Sequence, residues 1–482
     1  RKMSKKINMD CMNNMGKIII AILLTNIHIA TYAQTPAVHE FSIQQCLDYA
    51  RKNSMQVKNA LLDLQIQQQS NKATTAGALP TISATGTTTD YFNIPVQPVS
   101  DFITPAIYGV LVNQGVKDGN GNPITLPAGS PAVFPFSLYQ KYSAGGSLQL
   151  TQTLFDGQVF VGLQARKASI DYYQKAIDIT EENISVNIYK IYYQLVVSRT
   201  QMQQLDANIA RAEKLVHDTK AMFDNGFQEK LDVDKASVQL ANLQTQKQSA
   251  QTTIDNGYLG LKYLMGMPVK DSVVLTDNFT EDDLKSGVLE NTTYKYDDRN
   301  DYQGLLINQK LNEYNVKRYK YVYYPTVNLN ASYQKNSYSN TYNFFNKEGM
   351  WFTTSYAGVT INVPIFSGFA KDANLQKAKL QLIQTQNQID NLKNSIDNDV
   401  AQAQNKFRSD ISTVDFQKQN MKLAESVYNQ TKKKYESGLA SNTDITNAQT
   451  DLITAQTNYI NALYDAVVAK VDYQKAIGKL KY

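Results

Sequence analysis

The chain is written twice. Around Phe155-Asp156-Gly157, and again around Phe366-Ser367-Gly368, a strand-like stretch runs into a very long helical one. Each copy then reaches a glycine turn, Phe223-Asp224-Asn225-Gly226-Phe227 in the first and Tyr435-Glu436-Ser437-Gly438-Leu439 in the second. Gly157 and Gly226 lie 69 positions apart, Gly368 and Gly438 lie 70 apart, and Gly266 and Gly478 each follow their turn glycine by 40. Such a period is too long for a solenoid, so the repeat reads as a duplicated half.

The N-terminus accounts for much of the positive charge. Arg1, Lys2, Lys5, Lys6 and Lys17 precede the apolar run Ile18–Ala30, which ends at Thr31-Tyr32-Ala33. A basic region, a short apolar run and a small-residue cleavage site predict a secretory signal peptide over 1–33, with initiation inside it at Met9 or Met15. Its removal leaves 43 basic against 42 acidic residues, so the net charge falls from +5 to +1 and the basic pI is no argument for nucleic acid. Cys46 alone survives cleavage, so no internal disulfide can form. No later stretch holds the ~18 apolar residues of a membrane helix. Entry into a membrane would require a closed β-barrel, since only helices and closed barrels satisfy their own backbone in lipid.

Apolar residues at three- and four-residue spacing predict a helix from Phe41 to about Thr75, ended by Pro80. Thr81–Asp90 reads as a strand. Residues 92–141 hold seven of the twelve prolines and Asp118-Gly119-Asn120-Gly121-Asn122, and read as a long loop. Ser143–Leu154 alternates, with Ser147, Gln149 and Thr151 opposite Leu148 and Leu150. From Gln158 to Phe223 a three-four apolar spacing with one extra four-residue step near Ile184-Ile188 predicts a coiled-coil helix with a stutter, about 100 Å long. A second helix returns from about Leu231 to Leu264.

The second half repeats this order. A helix is expected over Tyr302–Tyr321, strands over Thr326–Ser337 and Trp351–Ile365, a long helix over Phe369–Lys434 and a return helix over Thr443–Ile477. Val359, Ile361, Val363 and Ile365 alternate with Thr360 and Asn362, as an outer-membrane barrel strand requires. Four strands are too few to close a barrel, whereas three chains of four would close one, so a trimer is expected.

These residues resemble the TolC family of outer-membrane efflux channels. The resemblance spans the mature chain from Ala50-Arg51-Lys52-Asn53 to Gly478. It is carried by Leu154-Phe155-Asp156-Gly157, Pro364-Ile365-Phe366-Ser367-Gly368 and the turn segments, above all Tyr435 through Ile445. It implies a mainly α fold with a small β part: an antiparallel coiled-coil α-barrel crossing the periplasm, and four strands per chain in a homotrimeric 12-stranded barrel set in outer-membrane lipid. An equatorial belt would use residues 267–300 and the chain end. The tips would gate the tunnel and dock on a periplasmic adaptor (a membrane fusion protein) coupled to an inner-membrane pump. That docking role would fall to Asn225, Gly226 and Phe227, and to Ser437, Gly438 and Leu439.

In that family, acids six and nine positions after the second turn glycine ring the aperture. Here those positions hold Asp444 and Asn447, and the first repeat holds Asp232 and Lys235. Three symmetry-related Asp444 carboxylates would favour cations in a narrow throat, and Asn447 weakens that selectivity. Asp444 also follows Asn442-Thr443 at a helix start, where an acid caps and meets the dipole without any pore. The turn glycines equally read as simple helix terminators.

Other motifs favour plain readings. Asp118-x-Asn120-x-Asn122 begins like a calcium loop, but Pro123 stands where glycine is required and Gly129 where glutamate is. Trp351, Phe352 and Tyr356, with Tyr321, Tyr323 and Tyr324, are candidates for aromatic girdles. The mature chain has only His39, His217 and Cys46 for nucleophilic or metal chemistry, no phosphate-cradling loop and no nucleophile elbow, so no enzyme, metal or cofactor is expected.

The expected layout is a signal peptide (1–33), a first repeat (34–296) and a second (297–482). The expected function is a passive exit duct for small-molecule efflux. The alternatives are the outlet of a type I protein or peptide secretion system, or a periplasmic adaptor or other coiled-coil binding protein. An adaptor would carry one hairpin inside nested β-segments and not two equal halves.

Overall fold

A computed structural model describes residues 38–129, 133–277, 284, 293–346 and 349–480. The signal peptide expected over 1–33, and residues 278–283 and 285–292 of the expected belt, lie outside the described residues. In chain order the elements are β1 (Val38–Phe41), α1 (Ile43–Asn53), α2 (Met55–Ala76), β2 (Thr81–Asp90), β3 (Gln97–Ser100), α3 (Ile103–Asn113), β4 (Val133–Phe136) and β5 (Tyr142–Phe155). There follow α4 (Gly157–Asp224), α5 (Lys230–Met265), β6 (Ser272–Leu275) and a short 3-10 turn at Tyr296–Asp298. The last five are α6 (Asn300–Tyr321), β7 (Thr326–Ser339), β8 (Phe352–Asn362), α7 (Ala370–Glu436) and α8 (Asn442–Ala476). No helix among the described residues is long and apolar enough to cross a membrane.

The described residues form two compact units, one within 60–178 and 300–395, the other within 38–59, 179–299 and 396–480. The first unit holds an antiparallel sheet in the order β2-β5-β7-β8. Thr81 pairs with Thr151, and Thr326 with Asn362, so all four strands meet helical segments at one end of the sheet. The connections 91–141 and 340–351 leave from the other end.

Register sorts the strand side chains cleanly. Ile82 pairs with Leu150, Leu150 with Ala331 and Ala331 with Ala357. Ala84, Leu148 and Tyr333 form the next row, and Leu329 faces Val359. The opposite face carries Ser83, Gln149, Asn330, Ser332 and Thr360. Both faces stay largely open in the single chain, Ile82 at 72% exposure. A sheet apolar on one side and polar on the other suits a wall between lipid and water. Tyr356 pairs with Ser332 and Phe352 with Asn336, which puts both aromatics on the polar face and removes them from any lipid-side girdle.

The segment 92–141 is more structured than its prolines imply. It contains the antiparallel pair β3-β4 and, between them, the helix α3, which tolerates Pro105 because the first turn of a helix has no carbonyl for that position to meet.

The second unit is helical, with the small parallel pair β1-β6. Its core beside that pair joins Cys46, Leu47, Ile188, Tyr192, Leu261, Met265 and Leu275. The helix expected over Phe41–Thr75 is broken here, because Ser54 takes φ −55° and ψ 130°. Gly266 explains the break. It ends α5 at φ +70°, and any Cβ on it would strike the backbone carbonyl of Asn53. Gly478 ends the second return at φ +70° against the backbone carbonyl of Asp298. The duplicated glycines therefore pack their backbones against two equivalent breaks in the chain.

Candidate functional site

The two hairpin turns are built alike. Gly226 takes φ +81° and Gly438 φ +71°, conformations that glycine adopts without Cβ strain. The Gly226 N–H donates to the Phe223 carbonyl at 2.9 Å and the Phe227 N–H to that of Met222 at 2.8 Å. In the second turn Gly438 donates to Tyr435 at 3.0 Å and Leu439 to Lys434 at 2.8 Å. Both are Schellman ends, which satisfy the last carbonyls of a helix. Asn225 and Ser437 also match, each donating from its side chain to the carbonyl four residues back, at 2.7 and 2.9 Å. The residue after each glycine is then thrown outward, Phe227 at 81% exposure and Leu439 at 80%.

The returning helices begin differently. Ser441 and Asp444 form a capping box: the Asp444 N–H donates to the Ser441 hydroxyl at 3.1 Å, and the Ser441 N–H to the Asp444 carboxylate at 2.9 Å. The Ser441 hydroxyl also donates to that carboxylate at 2.7 Å. These bonds, the hydroxyl first and the backbone N–H second, hold the Asp444 carboxyl below the usual carboxylate range. Glu229, the equivalent cap of α5, makes no such side-chain bond. Asp232 instead takes part in a contact between hairpins, where the Asn442 amide donates to its carbonyl at 3.2 Å and to its carboxylate at 3.3 Å. The structure therefore joins Asp232 to Asn442, leaves Asp444 on its own helix and leaves Asn447 exposed.

Behind the tips the two hairpins share an apolar core of Leu215, Ala236, Tyr428, Tyr435, Ile445, Ala448 and Leu452. The Tyr435 hydroxyl lies 3.3 Å from the buried Thr219 hydroxyl, and Arg211 sits over the Tyr428 ring at 5.7 Å. A groove of about 410 Å³ opens beside this core, floored by Leu215, Met222 and Tyr435 and rimmed by Lys214, Asp218 and Lys432. Nothing local in the sequence marks the contacts made by Asn442, Thr219 and Arg211. The one available signal was the aromatic three places before each turn glycine, Phe223 and Tyr435. No described cluster of His, Cys, Asp or Glu could hold a metal, and His217 is exposed on α4.

Residues 305–479 match the family described as outer membrane efflux protein. The outer membrane protein TolC of Vibrio cholerae is 21% identical over 346 residues, 70% of this chain and 77% of its own length. The protease secretion protein PrtF of Dickeya chrysanthemi is 23% identical over 259 residues, 51% of this chain and 53% of its own. Among solved structures, the outer membrane protein VceC of Vibrio cholerae aligns at a TM-score of 0.67 and 16% identity, over 90% of this chain and 96% of that one. The fold is that of the outer-membrane channels, long antiparallel coiled coils joined to a small sheet. The second half of the chain thus matches the outer membrane efflux family, and the relatives and the solved channel that the chain resembles are outer membrane proteins.

Proposed function

We propose that three copies of this chain form the passive outer-membrane duct of a tripartite export system. In this reading the edges of the four-stranded sheet support the trimer. Strands β2 and β8 are both unpaired on one side, run in opposite directions and keep the same apolar face, so β8 of one copy can continue onto β2 of the next. Closure would remove the exposed edges that otherwise invite aggregation.

The observation that carries the docking role is the matched pair of tips. Phe227 and Leu439 project from turns of identical hydrogen-bond pattern, each flanked by a side chain that closes its own helix, Asn225 or Ser437. Six such apolar points in a trimer would suit the hairpins of a periplasmic adaptor, which would link the duct to an inner-membrane pump. Asp444, Asn447 and Asp232 line the approach to the aperture in this proposal. Small-molecule efflux is the cargo reading we favour. Protein secretion is the second reading, favoured by the similarity to PrtF.

Photo-crosslinking in cells from Phe227 and Leu439, with the captured partner identified by mass spectrometry, tests this. An adaptor of a proton-driven pump supports small-molecule efflux, and one from an ATP-driven exporter supports peptide or protein secretion. Capture of no adaptor from either position would remove the tips as the docking surface.

A further inference from the structure

The sheet carries a second site, at the end away from its helices. Gly86 pairs with Gly146, Gly146 with Lys335 and Lys335 with Thr353, one complete row across all four strands. This row shares its face with Ala84, Leu148 and Tyr333, the apolar side. A Cβ at Gly86 or Gly146 would meet nothing within 4 Å, so the two glycines floor an open trough. Tyr342, Phe345 and Trp351 stand over it, and Lys335 borders it. The trough measures about 650 Å³, within the usual range of small-ligand sites.

The walls are held in place. The Trp351 indole N–H donates to the Phe344 carbonyl at 3.1 Å, and the Ser337 hydroxyl donates to the Met350 carbonyl at 2.6 Å. Phe344 is buried, and Tyr342 packs edge-on against both Phe344 and Tyr142.

Height on the strand identifies the occupant. From Val327 to Lys335 is eight positions along β7, about 27 Å at the antiparallel rise. At the tilt of a membrane barrel this projects to about 21 Å, close to the top of an apolar band about 25 Å tall. Lys335 therefore falls where hydrocarbon gives way to headgroups, with aromatic rings beside it. A cation at that level complements a phosphate, and a glycine floor between rings accepts an acyl chain.

We propose that this trough binds a phosphorylated acyl lipid of the outer leaflet, phosphate on Lys335 and one acyl chain over Gly86 and Gly146. The assignment rests on the reading that the sheet spans the outer membrane with its apolar face to lipid.

Native mass spectrometry of the detergent-solubilised full chain, with bis-phosphorylated lipid A or its dephosphorylated form, tests this. The wild type is expected to retain about one phosphorylated lipid per chain. Gly146→Leu, whose Cβ would meet nothing within 4 Å, is expected to lose it by about tenfold, and Lys335→Gln to bind both forms alike. Equal retention by Gly146→Leu, or equal retention of both lipids by the wild type, overturns the proposal. So does alkylation of Gly146→Cys by a maleimide only after removal of 92–141, which would make the chain itself the occupant. Outer-membrane fractionation is run alongside. A chain found there as a heat-sensitive trimer without lipid sinks this site alone, and a chain found elsewhere sinks the duct with it.

Discussion

Asn442 of the second repeat donates its side-chain amide to Asp232 of the first, reaching both the carbonyl and the carboxylate. The two residues stand at the starts of the two return helices, so this contact ties one hairpin to the other close to the turns. A hydrogen bond to a charged acceptor contributes about 1.5–3 kcal/mol when buried, and the partial exposure of Asp232 lowers that to about 1 kcal/mol. Asn442→Ala should loosen the tie about fivefold and raise the open fraction of the channel in a planar bilayer. A conductance indistinguishable from wild type would show that the contact does not restrain the aperture.

The capping box makes a separable forecast. Ser441→Ala should fray the first turn of α8, with amide exchange there about fivefold faster. The pH dependence follows from Asp444. Its carboxyl is depressed in the folded chain, so the stabilisation is present above the ordinary aspartate range and is lost as pH falls through the depressed value. The protection factor at the start of α8 should therefore be flat through neutrality and fall only in acid. The Ser441→Ala protein should lose that acid step.

The glycines divide into two groups. Gly226 and Gly438 have positive φ and open space around them, so Ala there should cost about 1 kcal/mol. At Gly266 and Gly478 an added Cβ would also meet the carbonyls of Asn53 and Asp298, and Ala should cost about 2–4 kcal/mol. Urea unfolding of the four single variants should return these two classes. Four equal midpoints would show that the close approach relaxes freely.

Cys46 offers a reporter for the same region. It is fully buried, and burial, with the Asp277 charge second, pushes its thiol up to about 12. Maleimide should leave it unlabelled in the native protein at neutral pH and label it on unfolding. Gly266→Ala, which strains the neighbouring chain break, should accelerate labelling. Rapid labelling of the wild type would mean that this core opens readily.

Elements marked by local chemistry were legible in the sequence, and those fixed by distant partners were not. Pro80 and the threonines placed β2 at Thr81–Asp90 to the residue, and the glycine turns bounded α4, α5, α7 and α8 within one or two positions. The break at Ser54 was invisible because its cause, Gly266, lies on another helix. The strands β1 and β6 are four residues each and pair across the chain, too short and too remote for periodicity to reveal. Pro105 hid α3 inside a segment that otherwise looked like loop. At the tips the turns and Asp444 could be read, but Asn442 could not, since nothing near it in sequence announces Asp232. The face of Tyr356 is legible, since simple alternation puts it with Thr360 and away from Val359.

Gly226 and Gly266 are 40 positions apart, and so are Gly438 and Gly478. Each return helix is thus measured between a turn and a fixed backbone contact, and Asn442 meets Asp232 only if the two measures agree. One residue added to α8 alone would shift its tip by about 1.5 Å and turn it by about 100°. The pairing would then present the wrong side chain. Length changes in this molecule must therefore be matched in both halves, so that the two hairpins act as each other's gauge.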